Sequence, residues 1–142
     1  MASKIFLDAN CLLDLMLHRA GFQSANDIIQ AGINGNIQLC TTPAVLHVTS
    51  YFTSQTLTNQ QTKQGILILL NDVQVIDCDH ATALIAVNSS IDDIEDALQY
   101  YTALTHGADY FISADKKLKK AAMPQLPVYT AAEFLAQMQQ EG

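Results

Sequence analysis

Basic side chains are scarce in this chain. Seven Lys and Arg stand against fourteen Asp and Glu in 142 residues, a formal net charge of −7. That balance argues against a broad basic face for nucleic acid, because phosphate contact draws on Lys and Arg. Cysteine is limited to Cys11, Cys40 and Cys78. An odd number, widely spaced in apolar settings, predicts reduced, buried thiols and excludes a zinc motif. No run approaches the roughly 20 apolar residues that span a membrane. At the N-terminus Asp8 interrupts "MASKIFLDAN" before a signal-peptide core can form, which predicts a cytoplasmic protein with no membrane partner. Linkers, repeats and low-complexity segments are absent too, so residues 1–142 are expected to form one domain.

What is present is a folded composition, 49% apolar and only 15% charged. Apolar runs predict strands at 4–9 ("KIFLDA"), 37–42 ("IQLCTT"), 73–78 ("VQVIDC") and 109–115 ("DYFISAD"), with a short fifth at 127–130 ("PVYT"). Helical spacing fills the intervals: 11–19, 22–36, 43–57 behind Pro43, 58–72 behind Thr58, 81–90, 93–108 stopped by Gly107, and 130–140. Alternating strands and helices predict an α/β fold, a three-layer α/β/α sandwich around a mainly parallel sheet of four to five strands.

Ligands of such sheets sit beyond the carboxyl ends of the strands. The first strand ends in "LDAN" and delivers Asp8; the fourth ends in "ISAD" and delivers Asp115. A third acidic locus is "DDIEDALQYY", with Asp92, Asp93, Glu95 and Asp96 in five positions. Asp92 as an N-cap, with Glu95 completing a capping box, accounts for two of these acids. Asp96 is left over. It lies a turn into the helix beside the packing residues Ala97, Leu98, Tyr101 and Leu104. A half-buried carboxylate near other acids is costly unless a cation or a proton neutralises it. Asp8, Asp96 and Asp115 therefore make a candidate site for one divalent cation. Oxygen donors without a His–Cys cluster favour Mg²⁺ or Mn²⁺ over zinc, and the fitting chemistry is phosphodiester hydrolysis by an activated water.

At "FLDANCLLDLM", "DIEDALQYYTAL" and "GADYFISADKKL" the sequence resembles the PIN-domain family, many of whose members are small metal-dependent ribonucleases, among them toxins of bacterial toxin–antitoxin pairs. The resemblance spans nearly the whole chain. It implies Asp8, Asp96 and Asp115 as metal ligands, Asp93 as an accessory catalytic acid, and Asn10 and Ser113 as supporting residues. It also implies an RNA substrate, a small antitoxin as partner and a homodimer; separately, the apolar run "GILILL" at 65–70 is a candidate interface.

One departure stands out. The family carries a Glu on the helix after the second strand; here the aligned residue is His47, and no acid occurs between Asp27 and Asp72. His47 is read either as a neutral ligand in that place or as a helix-face residue without a role. The missing Glu keeps open a second function, a PIN-like scaffold without activity that binds RNA or protein. A phosphoacceptor receiver domain fits less well, because it needs paired acids where the first strand offers only Asp8. The run "KKLKK" (Lys116, Lys117, Lys119, Lys120) is either a solvated helix face or a rim that holds flanking phosphates. Asp14, Arg19, Asp27, Asp72, Asp77, Asp79, Asp109 and Glu133 are expected to be surface or cap residues.

Overall fold

Ile5, Phe6 and Leu7 are consecutive, apolar and shut off from solvent. A strand can bury both of its faces only if helices cover both sides of its sheet. The computed structural model, which describes residues 2–141, shows that arrangement. Its elements run β1 (Ser3–Leu7), α1 (Ala9–Met16), α2 (Phe22–Ile33), β2 (Ile37–Thr41), α3 (Pro43–Thr53), α4 (Asn59–Leu69), β3 (Val73–Val75), α5 (His80–Val87), α6 (Ile94–Thr105), β4 (Tyr110–Ile112), α7 (Lys116–Ala121), β5 (Val128–Tyr129) and α8 (Ala131–Glu141). The strands form one five-stranded sheet in the order β3-β2-β1-β4-β5. Every pairing in it is parallel. The expected α/β architecture is thus present, with five strands.

The strand order decides where a ligand can sit. From β1 the chain winds one way through β2 to β3, and the other way through β4 to β5. The reversal opens a crevice beyond the carboxyl ends of β1 and β4. These two strands pair Ile5 with Tyr110, Phe6 with Phe111 and Leu7 with Ile112. The rings of Phe6 and Phe111 stack at 4.7 Å and lock that register. The residues leaving the crevice-side ends are Asp8 and, three beyond Ile112, Asp115.

Several elements are shorter than the sequence suggests. The third strand stops at Val75 and the fourth at Ile112, because the chain leaves the sheet to cap the next helix: Asp79 accepts from the Thr82 amide and Asp115 from those of Lys117 and Leu118. Helix α2 ends at Ile33, and the turn after it puts Gly35 at φ 81°. One thiol departs from expectation. Cys11 and Cys40 are buried, but Cys78 is exposed, since it lies in the segment that has already left β3. Among the described residues no helix is long and apolar enough to cross a membrane.

Tyr100 ties α6 to the segment between α7 and β5. It is fully buried, and its hydroxyl donates to the Leu126 carbonyl at 2.7 Å and accepts from the Met123 amide at 2.8 Å. Tyr100→Phe keeps the ring but strands both backbone groups. It is expected to cost about 2 kcal/mol in a urea unfolding titration. A loss below about 0.5 kcal/mol would mean that water reaches these groups and α6 is anchored by packing alone.

Candidate active site

Three helices begin around the crevice, and each begins on an acid. Asp8 is the N-cap of α1 and accepts from the Ala9 amide at 2.8 Å. Asp93 is the N-cap of α6 and accepts from the Asp96 amide at 2.9 Å. Asp115 is the N-cap of α7, with bonds of 2.8 and 3.2 Å from the Lys117 and Leu118 amides. Capping is worth about 1 kcal/mol at each helix, and the positive end of each helix dipole offsets part of the repulsion among the acids. The expected cap at Asp92 is therefore off by one. Asp93 has the extended backbone that a cap needs, and Asp92 lies before it, exposed.

Asp96 lies three residues into α6, half-buried. Its carboxyl is pushed up to about 7 by burial first, then by the charges of Asp93, Asp115 and Asp8, and by a hydrogen bond with the Asp115 side chain. Asp8 is also raised, chiefly by burial and in part by Asp115, although hydrogen bonds from Ala9 and Ser113 pull it down. Ser113 is buried and does double duty, since its Oγ also accepts from the Asp115 amide at 3.1 Å. The structure thus brings Asp8, Asp93, Asp96, Asp115 and Ser113 into one electrostatic unit. Asp93, Asp96, Asp115 and Lys117 line a cleft of about 480 Å³.

The other expected site residues lie elsewhere. Asn10 is exposed and engaged by Arg19, whose Nη2 donates to its backbone carbonyl at 3.3 Å. The lysine run splits: Lys117 lines the acidic cleft, whereas Lys119 pairs with Glu133 at 2.6 Å. Lys116 and Lys120 are exposed. His47 is exposed and lines a separate cleft with Tyr51 and Lys63, so the structure does not bring it to the acids. Glu95 is the residue that sequence reasoning undervalued. Its carboxyl is raised by burial and by the charges of Asp8 and Asp93, which places it in the same field instead of in a cap. Its position next to Asp96 in the first helical turn was the available signal.

The donor set fits a hard divalent cation. Burial first, and then the charges of Asp93, Asp115 and Asp8, raise the Asp96 carboxyl toward neutrality, and a cation would offset the same cost. Among the described residues no group of three His, Cys, Asp or Glu side chains is placed to hold a metal ion together. Mg²⁺ does not require one, since it keeps several waters and takes one or two carboxylates directly.

The protonated state has a measurable consequence. A carboxyl raised in the folded protein binds its proton more tightly there than in the unfolded chain. The linked stability is present at low pH and is lost as pH rises from the unfolded value of 3.8 through about 7. Asp8 and Glu95, also raised, act in the same sense. Asp79 and Glu133 are held low by hydrogen bonds and act oppositely, in the acid range below about pH 5. Discounted for partial exposure, the metal-free protein should lose about 1 kcal/mol, roughly 3–5 °C of melting temperature, between pH 5 and pH 8. Melts in EDTA followed by circular dichroism test this; a melting temperature that rises over that interval would contradict the crowding.

A family model described as the PIN domain matches residues 4–117, and the chain belongs to that family. Solved structures share the fold at low identity. VapBC2 from Rickettsia felis, bound to a DNA fragment from its promoter, is 17% identical with a TM-score of 0.65, over 89% of this chain and 98% of that one. The Sarcin-Ricin-loop-cleaving toxin VapC20 from Mycobacterium tuberculosis is 16% identical with a TM-score of 0.66, over 85% and 97%. VapBC-1 from nontypeable Haemophilus influenzae is 17% identical with a TM-score of 0.65, over 91% and 98%. No curated protein matches the sequence.

Proposed function

We propose that this chain is a Mg²⁺- or Mn²⁺-dependent endoribonuclease, the toxin of a toxin–antitoxin pair. The observation that carries the reading is the half-buried Asp96, crowded by Asp8, Asp93 and Asp115 at the switch point of a parallel sheet. Membership of the PIN family and the likeness to VapC-type toxins support it.

Asp8, Asp96 and Asp115 would hold the cation. When bound, the ion supplies a Lewis acid for the phosphodiester and activates water as the nucleophile. Asp93 fixes the first turn of α6 through the Asp96 amide, so that Asp96 keeps its orientation toward the cleft. Ser113 orients Asp8 and the backbone at Asp115. Lys117, on the cleft wall, contacts a phosphate flanking the scissile one. Glu95 contributes negative charge on the side of Asp8, where α3 contributes none.

The single domain over residues 1–142, the cytoplasmic location, the antitoxin and the homodimer belong to the same reading. Leu67 and Ile68 on α4, 65% and 68% exposed, offer an apolar surface to such a protein partner. The experiment is cleavage of a labelled single-stranded RNA by the purified chain with Mn²⁺, Mg²⁺ or EDTA. Cleavage with either metal and none in EDTA is expected. RNA left intact with both metals, by a folded protein freed of any antitoxin, would favour the inactive scaffold.

A further inference from the structure

The chain from residue 28 to 71 contains no Asp or Glu, in a protein whose net charge is −7. That acid-free span includes α3 and α4, and between these helices lies a second cleft of about 500 Å³. His47, Ser50 and Tyr51 line it from α3; Asn59, Thr62 and Lys63 line it from α4. Lys63 is exposed, and no ion pair or hydrogen bond engages its ammonium among the described residues. Tyr51 is 53% exposed, and its ring stacks on Phe52 at 5.2 Å, which stiffens it as a platform. Thr62 is only 5% exposed, and its Oγ1 is the one buried side-chain polar atom without a partner among the described residues. A buried hydroxyl with no partner is costly in the free protein, and a polar group entering the cleft would relieve it.

We propose that this cleft is a subsite for one nucleotide of single-stranded RNA outside the scissile position. The inference rests on the ribonuclease reading above. The base stacks on Tyr51, its phosphate meets Lys63, and Thr62, Asn59 and His47 supply hydrogen bonds. The lining has no carboxylate to repel a phosphate and includes the Lys63 ammonium to meet one, which favours a nucleotide. Helix α3 also touches the helix of the acidic site. The N-cap of α3, Thr42, is hydrogen-bonded to Gln99 of α6, the helix that carries Asp96. Tyr51 lies about 14 Å further along α3 from Thr42.

The test is fluorescence anisotropy with a labelled single-stranded RNA 12-mer of mixed sequence, in EDTA so that no cleavage occurs. Tyr51→Ala should weaken binding about 5- to 100-fold, and Lys63→Ala should reduce the slope of log affinity against log salt by about 0.7. Thr62→Val should raise the melting temperature yet weaken binding, a combination that a purely structural hydroxyl would not give. Asp96→Asn, measured alongside, should lose cleavage and keep the anisotropy signal, which separates failure of the chemistry from failure of the subsite. A 12-mer that does not bind, or that binds these variants as tightly as the wild type, overturns the proposal. That includes the case in which the same variants loosen a protein partner while RNA affinity is unchanged.

Discussion

Asp96→Asn is expected to lower divalent-cation-dependent RNA cleavage by roughly 10²–10³-fold while leaving the metal-free protein more stable than the wild type at pH 8. The two effects have one origin. Asp96 is half-removed from water and crowded by Asp93, Asp115 and Asp8, so its charged form is unfavourable. Asn removes that charge without changing the shape. The backbone amide of residue 96 still reaches the Asp93 carboxylate, so the start of α6 is kept. The same substitution removes a proposed ligand oxygen and a unit of negative charge from the proposed cation site. Single-turnover cleavage together with melts at pH 8 would measure both. A variant that is inactive and also destabilised would make Asp96 a structural residue.

Saturating Mg²⁺ or Mn²⁺ should raise the melting temperature of the wild type steeply. At a hundredfold excess over the dissociation constant, binding adds about 2.7 kcal/mol, or roughly 8–13 °C for a chain of this size. The shift should be larger at pH 8 than at pH 6, because below about 7 the cation must displace the proton on Asp96. Asp8→Asn should abolish the shift while still capping α1, since Asn caps about as well as Asp. Thermal melts with each metal at both pH values check this. An undiminished shift in the Asp8 variant would place the cation elsewhere on this acidic surface.

Asp8 and Asp115 were legible in the sequence because their setting is local. An apolar run that ends in an acid marks the carboxyl end of a buried strand, and the parallel sheet brings those ends to one edge. Asp96 was legible because helical spacing places it on the packing side of α6. The cap was not, since Asp92 and Asp93 are chemically alike and only the backbone conformation at Asp93 separates them. The place of Glu95 depends on how the first turn of α6 meets Asp8, a long-range contact that spacing does not encode. His47 misled for the same reason: its linear position matches an acid of the family, yet its side chain lines the α3–α4 cleft. The lysine run divides because residues two apart on a helix point about 200° apart, which turns Lys117 to the cleft and Lys119 to Glu133.

A ribonuclease of this kind needs a cation held by acids from three separate helix starts. The most direct measurement is anomalous diffraction from crystals of the wild-type chain grown with Mn²⁺ at pH 8. The expected result is a manganese peak in the cleft lined by Asp93, Asp96 and Asp115, with at least one oxygen of Asp8, Asp96 or Asp115 at about 2.0–2.4 Å and water completing the shell. A cleft without manganese in crystals that hold the ion at another site would contradict it.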